Sequence, residues 1–136
     1  MSIAQPGADV VELRIAADAA LVFTARTVAS QVAHHADFDL ATTSDLRMAV
    51  DEMCNTLISL TSTDSILTCT FVPIAGRVHV AATVPPDPTD AVVDTRSSGW
   101  RVLQALLDEV TADSLESGER AGHLQILGTK FAASDG

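Results

Sequence analysis

The chain has few of the residues that mark secreted, metal-binding or membrane-spanning proteins. Its 136 residues include two cysteines, Cys54 and Cys69, and no C-x-x-C pair, which excludes a disulfide framework and a cysteine-rich metal site. No apolar run approaches the roughly 20 residues that cross a bilayer, and the N-terminus has neither a basic nor an apolar signal region. We therefore expect one cytoplasmic domain, 1–136, with buried thiols and a flexible N-terminus at 1–8.

Positive charge is also scarce. Lysine and arginine number 8 against 18 aspartates and glutamates, the net charge is −10, and Lys130 is the sole lysine. Such a surface repels phosphate backbones and anionic lipid, which argues against direct binding to nucleic acid or to membranes. A protein partner that carries basic patches is the better match.

Hydrophobic periodicity predicts five strands and three helices. The predicted strands are 10–15, 66–72, 77–84, 111–115 and 123–131; the predicted helices are 18–35, one from Thr42 or Ser44 to Leu60, and one that follows Gly99 and extends to Val110. This order predicts an α/β (α+β) two-layer sandwich, in which three helices cover one face of a mixed, mainly antiparallel sheet of about five strands. Residues 85–98 contain three prolines and predict a long surface loop.

The second predicted helix carries a recognisable pattern. Residues 45–56 read D-L-R-M-A-V-D-E-M-C-N-T. This stretch resembles the D-L-[KR]-x-A-V-[ST]-E-A-x-x-N helix of RsbW-type anti-sigma factors, which are small serine-protein kinases of the GHKL ATPase superfamily. The order of elements matches that family over almost the whole chain, so the resemblance implies a GHKL-like fold.

The resemblance also implies candidate site residues. In the family, a glutamate on this helix is the general base for the hydroxyl that attacks the γ-phosphate, and an asparagine one turn later ligates Mg²⁺. Glu52 occupies the base position, and Asn55 or Thr56 the position of the Mg²⁺ ligand. A later D-x-G-x-G box contacts adenine, where Asp87 is the corresponding carboxylate. A second glycine pair opens a helix whose N-terminal amides hold phosphate, and Gly99 remains of that pair.

Each of these elements departs from the family pattern. Asn55 comes one residue early, about 100° round the helix from the expected place, while Asp51 and Asn55 have the right spacing with the wrong acid. The glycines that should follow Asp87 are absent, and Gly99 is one glycine where the family has two. These departures predict a degenerate nucleotide site.

The resemblance implies an anti-sigma factor that sequesters an RNA polymerase sigma subunit and is released by an antagonist. We expect ATP and Mg²⁺ to bind weakly or not at all, and a homodimer to form through the first strand and the neighbouring helix surface. An active kinase that phosphorylates its antagonist is the alternative, and a stand-alone binding domain with an unrelated partner is the third hypothesis.

The same side chains also have purely structural interpretations. Without the family pattern, Glu52 and Asn55 are solvated residues on the polar side of an amphipathic helix. Trp100 is expected to anchor the core or an interface. His34 and His35 end a helix, where cations complement its dipole, and this account is preferred to metal binding.

Overall fold

The computed structural model describes residues 9–133, so the predicted flexibility of residues 1–8 lies outside the described part. The strands are β1 (Val11–Ala16), β2 (Ile66–Ile74), β3 (Arg77–Val84), β4 (Glu109–Ser114) and β5 (Leu124–Phe131). The helices are α1 (Val22–His35), α2 (Leu40–Ile58) and α3 (Ser98–Leu106), with a short 3-10 turn at Ala19–Leu21 before α1.

The strands form one five-stranded sheet in the order β1-β2-β3-β5-β4. The predicted α+β architecture, with five strands and three helices, is confirmed. All four pairings between these strands are antiparallel. The described sheet is therefore purely antiparallel, whereas the prediction was a mixed, mainly antiparallel sheet. The β2–β3 hairpin turns at Gly76, whose φ of +78° is accessible to glycine without strain.

The hydrophobic core lies between the three helices and one face of the sheet. Alternate residues of β2 and β3, such as Phe71 and Val80, are paired across the sheet and buried on that face. Leu46, Val50, Met53 and Leu57 form the buried stripe of α2, as the periodicity predicts; Trp100 of α3 is buried as well, which confirms its predicted place in the core. The longest helix, α2, packs against both α1 and α3, so it lies at the centre of the helical layer.

Several helix boundaries differ from the prediction: α1 begins at Val22 after the 3-10 turn rather than at 18, and α2 ends at Ile58 rather than at Leu60. Helix α2 begins at Leu40 rather than at Thr42 or Ser44, because the side chain of Asp39 accepts a hydrogen bond from the Thr42 amide at 2.7 Å and caps the helix earlier. Helix α3 ends at Leu106, and Val110 belongs to β4.

The two cysteines meet inside the core. Cys54 of α2 and Cys69 of β2 are free and fully buried, with their Sγ atoms 3.7 Å apart. The hydrogen bond with Cys69 and burial raise the pKa of the Cys54 thiol well above its usual range. The prediction of buried, reduced thiols is confirmed.

Within residues 9–133, none of the helices has the length and apolar character needed to span a bilayer.

Candidate functional site

Three of the residues predicted for the site come together where α2 meets the start of α3. The carboxylate of Glu52 lies against the backbone of Gly99 so closely that a Cβ built there would overlap its Oε1 atom. The same Cβ would lie 3.9 Å from Oγ1 of Thr56, one helical turn further along α2. Glu52 and Thr56 therefore face α3 together, with a spacing of four residues on one side of α2.

The start of α3 is organised by its own side chain. Ser97 is the N-cap, and its hydroxyl accepts a hydrogen bond from the Trp100 amide at 3.1 Å. Gly99 lies in this first turn, beside the capped amide. The cap and the missing Cβ together let α3 begin in direct contact with Glu52.

Asn55 belongs to a different cluster. Its Nδ2 atom donates to Oδ2 of Asp51 at 3.3 Å, and Oδ1 of Asp51 is 3.5 Å from Nε of Arg26 on α1. Because one residue turns the helix by about 100°, this cluster points toward α1 while Glu52 and Thr56 face α3. The predicted magnesium ligand is thus engaged in a polar chain between α1 and α2.

Asp87 lies apart from the other predicted residues. Its backbone amide donates to the carbonyl of Leu60 at 2.9 Å, and the hydroxyl of Thr61 donates to the carbonyl of Pro85. These bonds hold the start of the 85–97 loop to the chain just beyond α2, and the Asp87 side chain is exposed. Leu60 is eight residues past Glu52 and lies two residues beyond the end of α2.

A groove of about 420 Å³ opens beside Glu52 on the outer side of the helices. Its lining combines two exposed apolar side chains with charged and polar ones: Arg26, Ser44, Arg47, Met48, Asp51, Glu52 and Val102. Of the predicted site residues, this groove includes Glu52 and leaves out the other four, Asn55, Thr56, Asp87 and Gly99.

Sequence reasoning missed most of this groove. Val102 is an apolar residue of α3 that a helical period places with buried Leu103, but it is 44% exposed because α3 turns that position outward. Met48 is 52% exposed, and its position off the stripe formed by Leu46 and Val50 was a signal that could have identified it.

These contacts decide how well the residues fit ATP and Mg²⁺. Asn55 is bonded to Asp51, Asp87 is held at the end of α2 by its bond to Leu60, and the space beside Gly99 is filled by the Glu52 carboxylate. Among residues 9–133 no cluster of three or more histidine, cysteine or acidic side chains could hold a metal ion. Of the two candidate magnesium ligands, Thr56 lies beside Glu52 and Asn55 does not, so the arrangement departs from the family's pairing of a glutamate with an asparagine.

Comparison with known proteins identifies relatives. No family model matches the chain. The chain is 37% identical over 106 residues to the anti-sigma-F factor RsbW of Mycobacterium tuberculosis, in the CDC 1551 / Oshkosh and H37Rv strains alike. The match covers 78% of this chain and 62% of the relatives, so the chain spans less than two thirds of their length. The match confirms the resemblance carried by the α2 signature: the chain is a relative of the RsbW-type anti-sigma factors.

Proposed function

We propose that the chain binds an RNA polymerase sigma factor, keeps it from the polymerase, and does so without requiring ATP. The observation that carries the proposal is the 37% identity to proteins named anti-sigma-F factor, on a fold that has the element order the family resemblance implies. A sigma factor of the same type as the relatives' is the first partner to test. Because sigma factors work in the cytoplasm, this role requires the chain there.

The charge of the chain supports a basic partner. With a net charge of −10, the chain attracts proteins that carry basic regions, as sigma factors do where they contact DNA. This electrostatic steering raises the rate of association and weakens with added salt.

The groove beside Glu52 is the proposed contact surface. Met48 and Val102 offer apolar area, and two arginines and two carboxylates line the same groove: Arg26, Arg47, Asp51 and Glu52. This lining gives the apolar centre and polar rim typical of protein interfaces. The substitutions Met48→Glu and Val102→Glu should weaken sigma binding by at least about tenfold, since each places a charge in the centre of the contact.

The direct experiment is a pull-down of each sigma factor of the host with the purified chain, followed by measurement of affinity. The matched control is Leu40→Glu, because Leu40 is an exposed apolar residue at the start of α2 and is not part of the groove lining. A chain that captures none of its host's sigma factors contradicts the proposal and favours a binding domain with an unrelated partner. If Leu40→Glu weakens binding as much as the groove variants, the contact surface lies elsewhere.

The active kinase remains the second candidate, because Glu52, Thr56 and Gly99 do meet at the α2–α3 contact. ATP with Mg²⁺ at 100 times its dissociation constant would stabilise the fold by about 2.7 kcal/mol. We expect no rise in melting temperature at millimolar ATP. A clear rise that disappears in the Glu52→Gln or Thr56→Val variant would instead establish a nucleotide site and revive the kinase.

Release by an antagonist is the next part of the proposal. An antagonist that competes for the same surface should displace the sigma factor from the complex, and the 85–97 loop is a candidate contact for either partner. Deleting part of this loop should leave the fold intact and change the affinity for sigma factor or antagonist. Unchanged affinity for both would remove the loop from the interface.

A homodimer through β1 and α1 completes the proposal. In the part of the chain that the structure describes, β1 is an edge strand that pairs with β2 alone, and an apolar groove of about 420 Å³ runs between β1 and α1. Val11, Val28, Val32 and Pro73 supply its apolar lining. Light scattering should give the dimer mass, and Val28→Glu should give the monomer mass; a wild-type monomer at high concentration would contradict this arrangement.

A further inference from the structure

The loop between β4 and β5 reaches across the sheet to β1. Arg120 in this loop has its Nη2 atom 3.6 Å from Oε1 of Glu12 on β1, although β3 and β2 lie between β5 and β1 in the sheet. Three strand spacings amount to about 14 Å, so the loop and its arginine extend over the face of the sheet opposite the helices. Thr68 and Thr83, which are paired on that face, are each only 5% exposed, as a covering loop requires.

The loop has an ordered base. The Leu115 amide donates to the His123 carbonyl at 2.9 Å, and the Gly122 amide donates back to the Leu115 carbonyl at 2.7 Å. Gly118 and Gly122 have φ values of +91° and +87°, which glycine adopts without strain. The loop therefore holds Arg120 in a defined place.

Two guanidinium groups share one carboxylate at this place. Nε of Arg14 is 3.5 Å from Oε2 of Glu12, while Arg120 approaches the other oxygen at 3.6 Å. Both distances exceed the roughly 2.7–2.9 Å of a strong charge-assisted hydrogen bond. Each arginine therefore keeps donors available, and the group of three carries a net positive charge on a protein whose overall charge is strongly negative.

A cavity of about 430 Å³ opens beside these arginines. It is lined by Arg14, Ile66, Thr68, Pro85, Arg120 and His123. Burial and the nearby charge of Arg120 lower the pKa of His123, so the ring is neutral at pH 7 and offers one N–H donor. Donors from two guanidinium groups, one imidazole and one threonine hydroxyl thus line one cavity.

We propose that Arg14, Arg120, His123 and Thr68 form a binding site for an oxyanion, a phosphoryl or carboxylate group carried by a ligand or partner. Glu12 supplies the internal carboxylate that the ligand competes with for the guanidinium groups. The site lies on the face of the sheet opposite the helices and shares no lining residue with the groove beside Glu52.

Inorganic phosphate is the probe, followed through the backbone amide signals of the ¹⁵N-labelled chain. As phosphate is added, we expect the amide chemical shifts of Arg120 and His123 to change and then saturate. Sodium chloride at equal ionic strength should not produce these changes. Arg120→Gln should weaken phosphate binding by about tenfold or more, the loss expected for one charge-assisted contact. Arg96→Gln is the control, because Arg96 is exposed and among residues 9–133 pairs with Asp94 alone. The Arg96→Gln chain should bind phosphate with the wild-type affinity.

The Glu12→Gln variant distinguishes two interpretations of this cluster, an anion-binding site and a purely structural group of ion pairs. Removing the competing carboxylate should tighten phosphate binding several-fold, whereas a cluster with no ligand would show no saturable binding in either chain. Acetate, titrated in the same way, tells whether a carboxylate is accepted as well as a phosphoryl group. Equal, non-saturating shifts in the wild type, Arg120→Gln and Glu12→Gln would overturn the proposal.

Discussion

The carboxylate of Glu52 occupies the space into which a side chain at Gly99 would project. This contact joins the middle of α2 to the first turn of α3, and it depends on the absence of a Cβ at one position. A glycine that the family resemblance assigns to phosphate binding here allows two helices to approach each other closely. The relationship also links a candidate catalytic group to the packing of the helical layer, so substitutions can separate its two roles.

Gly99→Ala should displace the Glu52 side chain and leave the fold intact. The overlapping atom is the end of a flexible side chain, which can rotate toward the groove at little cost. Alanine also favours the helix by about 0.5–1 kcal/mol relative to glycine. We expect a melting temperature within a few degrees of the wild type and shifted NMR signals of the Glu52 side chain; a large fall in melting temperature would mean that the backbone of α3 has to move.

Gly128→Ala should be more damaging. A Cβ at this buried position of β5 would lie 2.6 Å from Cδ1 of Leu107, which is itself buried just after α3. Overpacking of this kind costs about 1–3 kcal/mol. Urea denaturation should show the loss as a lower midpoint, with Gly99→Ala as the control; equal midpoints for the two variants would contradict the argument.

The sequence predicts the fold better than the site, for a physical reason. Burial can be read directly from the alternation along β2 and β3 and from the apolar stripe on α2. Each of these elements buries one face, and its apolar residues recur on that face with the period of the strand or helix. The contacts of the site depend on how separate elements pack. That Glu52 would meet Gly99, that Asn55 would bond to Asp51, and that Arg120 would reach Glu12 are consequences of tertiary packing that no local pattern records.

The helix boundaries show the same limit on a smaller scale. Asp39, Thr42 and Ser44 are all good N-cap residue types within a few positions. The selected cap is Asp39, and Phe38 beside it is buried in the core while Leu40 is exposed. Packing of the α1–α2 connection therefore determines which of three nearly equivalent N-cap residues begins the helix.

The cap of α2 predicts a pH-dependent loss of stability. Hydrogen bonds with the Thr42 side chain and backbone lower the pKa of the Asp39 carboxyl below its ordinary value. The charged cap therefore stabilises the fold above the carboxyl's unfolded pKa, and this contribution is lost as the pH falls through the lowered folded value. At pH 7, the urea midpoint of Asp39→Ala should be lower than that of the wild type, and the difference between the two midpoints should narrow on acidification. Asp39→Asn, which keeps an uncharged acceptor, should have an intermediate midpoint at pH 7. A difference in midpoint between the wild type and Asp39→Ala that stays constant from pH 7 to pH 3 would contradict the role of the charge.

The buried thiols should resist modification in the folded protein. Cys54 and Cys69 are fully buried, and their mutual hydrogen bond and burial raise the pKa of Cys54, so little of the reactive thiolate is present. Ellman's reagent at pH 8 should detect almost no thiol in the native chain and both thiols after unfolding in guanidinium chloride. Rapid reaction of the native chain would show that α2 opens away from β2 far more often than its packing suggests.

The single lysine should contribute to stability through the end of α3. Nζ of Lys130 donates to the Leu106 carbonyl at 2.8 Å and to Oδ2 of Asp45 at 3.3 Å, and the lysine side chain is only 14% exposed. Lys130→Met keeps much of the apolar stem and removes the donor, which leaves a carbonyl at the helix end without its charged partner. The cost should be about 1–2 kcal/mol in urea denaturation. Asp45→Asn should cost less, because that carboxylate is 43% exposed and water replaces the lost ion pair. A larger loss for Asp45→Asn than for Lys130→Met would show that the ion pair, and not the bond to α3, is the stabilising contact.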